Sequence, residues 1–273
     1  MTTDTSGAPG TATGTDPAEE WRRWHEQRVF AVSAPYGPLS LTGTHWLTDF
    51  PGGRLPAVPG EWRADGDEVV LTAGDGDGLT ADGVPLTGEI RLTADTGAFE
   101  DSRIAAGSRR LVVLRREGLW AVRDIDPGSP ARRSFLGIEA APYDGDWALT
   151  GHFRPYESRT ILLPNADGRE RDFTLGGEIS FSVDGTDHTL QAAVEPDGSL
   201  WVVFADTTSG VDSFGFRFLR PPAPDADGTV SVDLNRAVLP PCAFADHFLC
   251  PFPPPGNRLP IAVPAGERRL VTG

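Results

Sequence analysis

Ten polar side chains in this sequence stand where a polar group needs a reason: Arg123, Arg133, Asp206, Thr208, Arg217, Asn235, Arg236, Asn257, Arg258 and Glu267. Arginine offers five N–H donors in a planar fork that matches the two oxygens of a carboxylate or phosphate. A guanidinium among apolar residues or beside prolines is costly unless something pairs with it. Arg217 lies between Phe216 and Phe218, Arg236 falls in DLNRA (233–237) and Arg258 in NRLP (257–260). One chemistry is structural: these arginines bond Asp206, Asp233, Glu267 and the carbonyls that proline leaves unpaired, and so pin the chain. Another is recognition, with several of the ten converging on a pocket that holds a small anionic molecule. A third puts Asp206, His247 and Glu267 together as the acid and base of a hydrolase or lyase.

The stretch that carries most of these residues, Asp233 to Arg269, also holds both cysteines, Cys242 and Cys250, and eight prolines. Prolines exclude a long helix or a central strand here. Leu234, Phe244, Phe248, Leu249, Phe252, Leu259, Ile261 and Val263 keep it apolar throughout, so it must wrap a folded core. Zinc asks for four nitrogen or sulfur ligands, often in close pairs. Here the cysteines are eight positions apart, with only His247 near Cys250. No metal or other cofactor is expected. The pair reads as two buried thiols, with a disulfide across the loop, or Cys242 as a nucleophile, as the competing readings. GDGDGLTADG (74–83) has the oxygen ligands calcium favours but no glutamate at loop position 12, and two tight turns explain it. No nucleophile elbow, metalloprotease helix, Walker loop or dinucleotide fingerprint occurs.

The formal charge is −15, and every one of the 24 basic residues is arginine. A nucleic-acid partner would require a basic footprint, which is missing. A membrane partner would require a polybasic patch or an apolar run of transmembrane length, and neither is present. The first residues have neither a positive start nor an apolar core, which excludes a secretory signal and points to the cytoplasm. Oligomeric state is not encoded in any pattern of this sequence.

The elements that must position these residues are short. Residues 1–16 lack large apolar side chains and are expected to be disordered. Asp16 and Pro17 then predict a helix from 17 to about 31, with Trp21 and Trp24 on one face as an anchor. Strand-like runs follow, among them EVVLTA (68–73), RLVVLRR (110–116), LWAVRDI (119–125) and SLWVVFADTT (199–208). Asp-Gly and Glu-Gly pairs punctuate them, and EISFSV-DG-TDHTLQAAV (178–194) predicts a hairpin. The fold class is mostly β: two β-rich halves, sandwich- or barrel-like, with one N-terminal helix and an irregular proline-rich C-terminal segment. The halves are expected at 17–155 and 156–273, joined by a polar connector near 155–172.

The motifs VRDID (122–126), RRSFLG (132–137), PYDGDW (142–147), VFADTTSG (203–210), DLNRA (233–237), PPCAF (240–244), CPFPP (250–254), NRLP (257–260) and AGE (265–267) occur in that order. In this the chain resembles the bacterial and archaeal domain-of-unknown-function 1684 family over roughly residues 35 to 270. The resemblance implies a mostly β protein of unestablished activity. It also marks departures: relatives carry a Tyr-Asn pair where this chain has Val238-Leu239, and a tyrosine where it has Phe214. Three functions stay open: a binder of a small anionic molecule through an arginine-lined pocket of the C-terminal half, a hydrolase or lyase, and an interaction module without a pocket. A cleft lined by Arg217, Arg236 or Arg258 would separate the first two from the third. An unpaired carboxylate or imidazole inside that cleft would separate the second from the first.

Overall fold

The structure, a computed structural model, describes residues 16–273. The segment expected to be disordered lies outside them, apart from Asp16. Asp16 caps α1 (Pro17–Ser33) by accepting the Ala18 N–H at 3.1 Å, and Glu19 and Glu20 sit at the positive end of the helix. Trp21 Nε1 donates to the Asn235 carbonyl at 2.8 Å, and the Arg236 guanidinium lies 5.1 Å from the Trp24 ring centre, so both tryptophans tie the helix to the C-terminal segment.

The first strands are β1 (Leu41–Trp46), β2 (Glu61–Asp65), β3 (Glu68–Ala73), β4 (Leu79–Ala81), β5 (Val84–Pro85), β6 (Gly88–Leu92), β7 (Ile104–Ala106), β8 (Arg109–Arg116) and β9 (Leu119–Ile125). They form an antiparallel sheet in the order β1-β9-β8-β7-β4-β5 and a smaller one, β2-β3-β6. Alternation sorts the side chains. Leu111, Val113, Trp120 and Val122 face the core shared with Trp62, Val69 and Leu71, while Val112, Ala121, Arg123 and Ile125 face the other way.

The short helix α2 (Pro130–Ser134) leads into β10 (Phe135–Ala140). The second large sheet contains β11 (Ala148–Pro164), β12 (Glu170–Val183), β13 (Thr186–Val194), β14 (Leu200–Phe204), β15 (Arg217–Leu219) and β16 (Thr229–Asp233), in the order β15-β14-β13-β12-β11-β16. One face covers Phe153, Ile179, Leu190, Phe204 and Val232, closed from below by Leu259 and Val263 of the proline-rich segment. The opposite face, with Leu163, Phe173, Leu175, Val203 and Phe218, meets Leu41, Val112 and Ile125 of the first sheet. A last strand, β17 (Glu267–Thr272), pairs antiparallel with β10.

The expected architecture holds: the chain is mostly β with one long N-terminal helix. The turns behave as their sequences require. Asp82-Gly83, Glu117-Gly118 and Asp184-Gly185 all have positive φ at both residues, the type I′ geometry that matches strand twist. The connector expected near 155–172 is instead the hairpin of β11 and β12. The expected division at 155/156 falls inside β11, whose strand begins at Ala148. Most side chains from Arg154 to Leu162 are exposed, so this arm needs no apolar pattern. Its Pro155 sits where the β11–β12 register shifts, a position that tolerates a missing donor. No described helix is long and apolar enough to cross a membrane.

Candidate functional site

Arg217, on β15, is completely buried. Its Nη2 donates to Asp206 and to the Val263 carbonyl at 3.0 Å, its Nη1 donates to the Ala265 carbonyl, and the guanidinium packs against the Phe204 ring. Burial pulls Arg217 below the usual guanidinium range, and the Asp206 carboxylate opposes that pull. Asp206 also accepts the Thr208 N–H at 2.6 Å. The ion pair clamps the 263–265 segment to β15, with Arg217 Nε alone among its donors left without a partner.

Asn257 has no exposed surface. Its Oδ1 accepts from Gln191 N at 2.8 Å, and its Nδ2 donates to the carbonyls of Gln191 and Val203 at 2.8 and 2.9 Å. It stitches the tail across β13 and β14. Asn235 is equally buried: it donates to the Asp144 carbonyl, accepts from the Asp144 N–H, and donates to Asp233. Glu267 accepts from Arg28 at 3.2 Å and from Leu239 N at 2.7 Å, with His25 Nε2 3.9 Å away. Burial pushes the Glu267 carboxyl above its ordinary range, against the opposing charge of Arg28. Four elements of the tail are therefore held by side chains whose hydrogen bonds point inward.

Arg236 is different. It is one-third exposed, and it pairs with Asp233 at 3.2 Å and with Glu20 of α1 at 3.0 Å. It lines a cleft of about 310 Å³ with Glu20, Tyr143, Arg220, Ser231 and Asp233, floored by Leu219, Pro221 and Pro222. Arg220 lies over the Trp201 ring and reaches Glu195 at 3.4 Å. Sequence reasoning did not nominate Arg220 or Tyr143. The signal was there for Arg220: it follows FRFL and precedes Pro221-Pro222, which ends the strand and turns the side chain outward.

The other nominated residues lie elsewhere. Thr208 shares a smaller cleft, about 160 Å³, with Ser213, Arg268 and Arg269. Arg133 is exposed on α2 and donates to the Gly128 carbonyl. Arg258 is exposed, and among the described residues its side chain has no hydrogen-bond partner; only its backbone bridges to Ala205. Arg123 lies on the face of β9 turned toward the second sheet, its guanidinium between the rings of Phe99 and Phe248 at 5.8 and 5.5 Å. Arg217, Arg236 and Arg258 thus do not share one pocket. Asp206, His247 and Glu267 are not brought together either: the two carboxylates have their own cationic partners, while His247 is exposed beside Asp246 on a shallow cleft that neither carboxylate borders. Among the described residues no three His, Cys, Asp or Glu side chains are grouped to hold a metal ion.

The family model described as protein of unknown function DUF1684 matches residues 133–268. A solved relative, the solution NMR structure of an uncharacterized protein from gene locus rrnAC0354 of Haloarcula marismortui, is 32% identical over 49% of this chain and 77% of that one, with a TM-score of 0.41. The chain belongs to the DUF1684 family. The match takes in the proline-rich segment up to Arg268 and the walls of the Arg236 cleft apart from Pro17 and Glu20 of α1. It begins after VRDID, so Arg123 and the first sheet fall outside the stretch that defines this DUF1684 protein, although the motif resemblance reached back to about residue 35. No curated protein matches the chain.

Proposed function

We propose that this protein binds a small anionic molecule in the Arg236 cleft, with Arg236 and Arg220 as the groups that hold it. The supporting observation is that Arg236 borders a cleft while one of its two anionic partners, the Glu20 carboxylate, is 61% exposed. An exposed ion pair is worth only about 0–1 kcal/mol. An incoming carboxylate or phosphate can therefore replace Glu20 and gain a forked, charge-assisted pairing. Asp233 remains in place and fixes the orientation of the guanidinium. It also accepts the Asn235 N–H, which makes it part of the backbone turn and not a free base. Tyr143 and Ser231 add hydroxyls on the walls, and the size suits a ligand of a few heavy atoms.

Both carboxylates of the cleft are paired with Arg236, so the reading is a binding site and not a catalytic one. The test is thermal shift with phosphate, succinate and citrate on the parent, Arg236→Ala and Arg220→Ala proteins. The parent should be stabilised by at least one of these anions. Arg236→Ala should melt within a few degrees of the parent and lose that shift. An unchanged shift in both variants would place the anion elsewhere, and this reading would fall.

A further inference from the structure

Cys242 and Cys250 lie where the tail crosses the face shared by the two large sheets, among Val112, Ile125, Phe216 and Phe248. Both are free thiols. The Cys242 N–H points at Cys250 Sγ, 3.3 Å away, so the two residues meet across the loop. The loop between them is pinned. Cys242 sits in the 3-10 turn Pro241–Ala243, the Leu249 carbonyl accepts Asn165 Nδ2 at 3.0 Å, and the Cys250 carbonyl accepts the Ala166 N–H at 2.9 Å. The sulfurs are held together by the fold.

A second observation concerns Arg123. Its Nε is buried without a partner, and among the described residues no carboxylate lies within ion-pair reach of its guanidinium. Burial, with Arg116 nearby, pulls it down to about 10, and Cys250 acts in the opposite direction. Arg123 as a whole is only partly buried, and a partly desolvated cation without an anion beside it is disfavoured. The group coupled to it that can become an anion is the Cys250 sulfur. The charges that act on the pair are Arg123 and Arg116 from the first sheet on Cys250 and Asp246 on Cys242, and Arg123 packs its guanidinium on Phe248, two residues before Cys250. The hydrogen bond from Cys242 shifts the Cys250 thiol down despite burial, while Cys242 is pushed up. Two buried thiols acting only as small apolar residues would have no use for this arrangement.

We propose that Cys242 and Cys250 are a redox-modification site for hydroperoxides, with Cys250 the attacking sulfur, Cys242 the resolving sulfur and Arg123 the partly buried countercharge. In the first step the Cys250 thiolate attacks one oxygen of ROOH. The S–O bond forms, the O–O bond breaks, and ROH leaves after taking a proton. The sulfur is oxidised to a sulfenic acid and the peroxide oxygen is reduced. In the second step Cys242 gives up its proton and attacks the Cys250 sulfur. The S–S bond forms, the S–O bond breaks, and the hydroxide leaves as water with that proton. Two thiols and ROOH become one disulfide, ROH and water, with two electrons passed to the peroxide. Cys250 is nearly enclosed and Cys242 half-buried, so the oxidant must be small.

The experiment treats the folded protein with a few equivalents of hydrogen peroxide in the presence of a chelator. The reaction is quenched and the chain unfolded, and thiols are counted beside an intact-mass measurement. The expected result is two thiols before and none after, with a mass lower by two hydrogens. Cys242→Ser should stop at a sulfenic acid that dimedone traps on Cys250. Arg123→Gln should slow oxidation by about tenfold or more, and Arg123→Lys should retain most of the rate. The parent measurement decides without any variant: thiols that survive peroxide in the folded chain but oxidise in the unfolded one overturn the proposal. A folded Arg123→Gln protein oxidised at the parent's rate overturns the role given to Arg123.

Discussion

Arg217, fully buried, and Arg123, partly buried, are guanidinium groups of the two large sheets, and the surroundings treat them in opposite ways. Arg217 meets a buried carboxylate and two tail carbonyls. Arg123 meets two aromatic rings and has no carboxylate partner, while a buried Nε without a partner is common to both groups. Desolvation lowers the proton affinity of both. At Arg217 the protein offsets it with an anion that folding puts in place once. At Arg123 the offsetting anion has to be made by ionising a sulfur. The first arrangement locks a segment. The second ties a charge balance to the chemical state of a cysteine.

The largest effect should come from opening the closed pair. Arg217→Ala leaves the Asp206 carboxylate buried without its cation, a loss of about 3–5 kcal/mol. Urea unfolding would measure it. Arg217→Met combined with Asp206→Asn keeps the volume and the bond to Thr208 N while removing both charges. It should regain most of that loss, because a buried pair is worth little more than a well-packed neutral one.

Glu267 gives the comparison a pH axis. Burial holds its carboxyl above the ordinary range, so the native state binds this proton more tightly than the unfolded chain does. Stability must then fall as pH rises from the unfolded value, about 4.3, through the raised folded value, and level off above it. Carboxylates held low, such as Asp167 beside Arg171, contribute with the opposite sign. Subtracting the Glu267→Gln profile of urea midpoints from the parent's isolates the Glu267 slope. A flat difference would mean that Arg28 and the Leu239 N–H fully offset the burial.

Arg123→Met sharpens the contrast with Arg217. No carboxylate is orphaned, and a flexible apolar chain fills the slot between Phe99 and Phe248. The change in unfolding free energy should stay within about 1.5 kcal/mol. A loss as large as that of Arg217→Ala would mean that Arg123 has an anionic partner already in place.

What the sequence disclosed follows from how local each signal is. Hairpin turns were legible because Asp184-Gly185 and its kin carry their conformation in two residues. The helix was legible because Asp16 and Pro17 mark its start and the tryptophans its face. The β11–β12 hairpin was not, because an exposed arm has no apolar alternation and its Pro155 reads as a break. β17 hid for the same reason: ERRLVT is an edge ribbon with mostly polar, half-exposed residues. At the site, residue chemistry identified arginines that needed partners, and Arg217 found one of those named, Asp206. Which arginine would border a cleft depended on α1 folding back from 216 residues away to place Glu20 beside Arg236, and no local pattern reports that.

The smallest effect is expected next to one of the most constrained side chains in the tail. Asn257 and Arg258 are adjacent in NRLP, yet the backbone extends there and turns them to opposite sides. Asn257 bonds inward to β13 and β14 with no exposed surface, while Arg258 faces solvent with no partner among the described residues. An exposed, unpaired charge away from caps, cavities and networks contributes within about 0.5 kcal/mol of nothing. Arg258→Ala should therefore leave the urea midpoint unchanged and preserve any anion-induced thermal shift of the parent. A loss of that shift with stability intact would make Arg258 part of a binding surface that the Arg236 cleft does not include. A loss of stability would mean that its guanidinium holds the tail through a contact not seen in this structure, and the division between inward-bonded and solvent-facing tail residues would have to be redrawn.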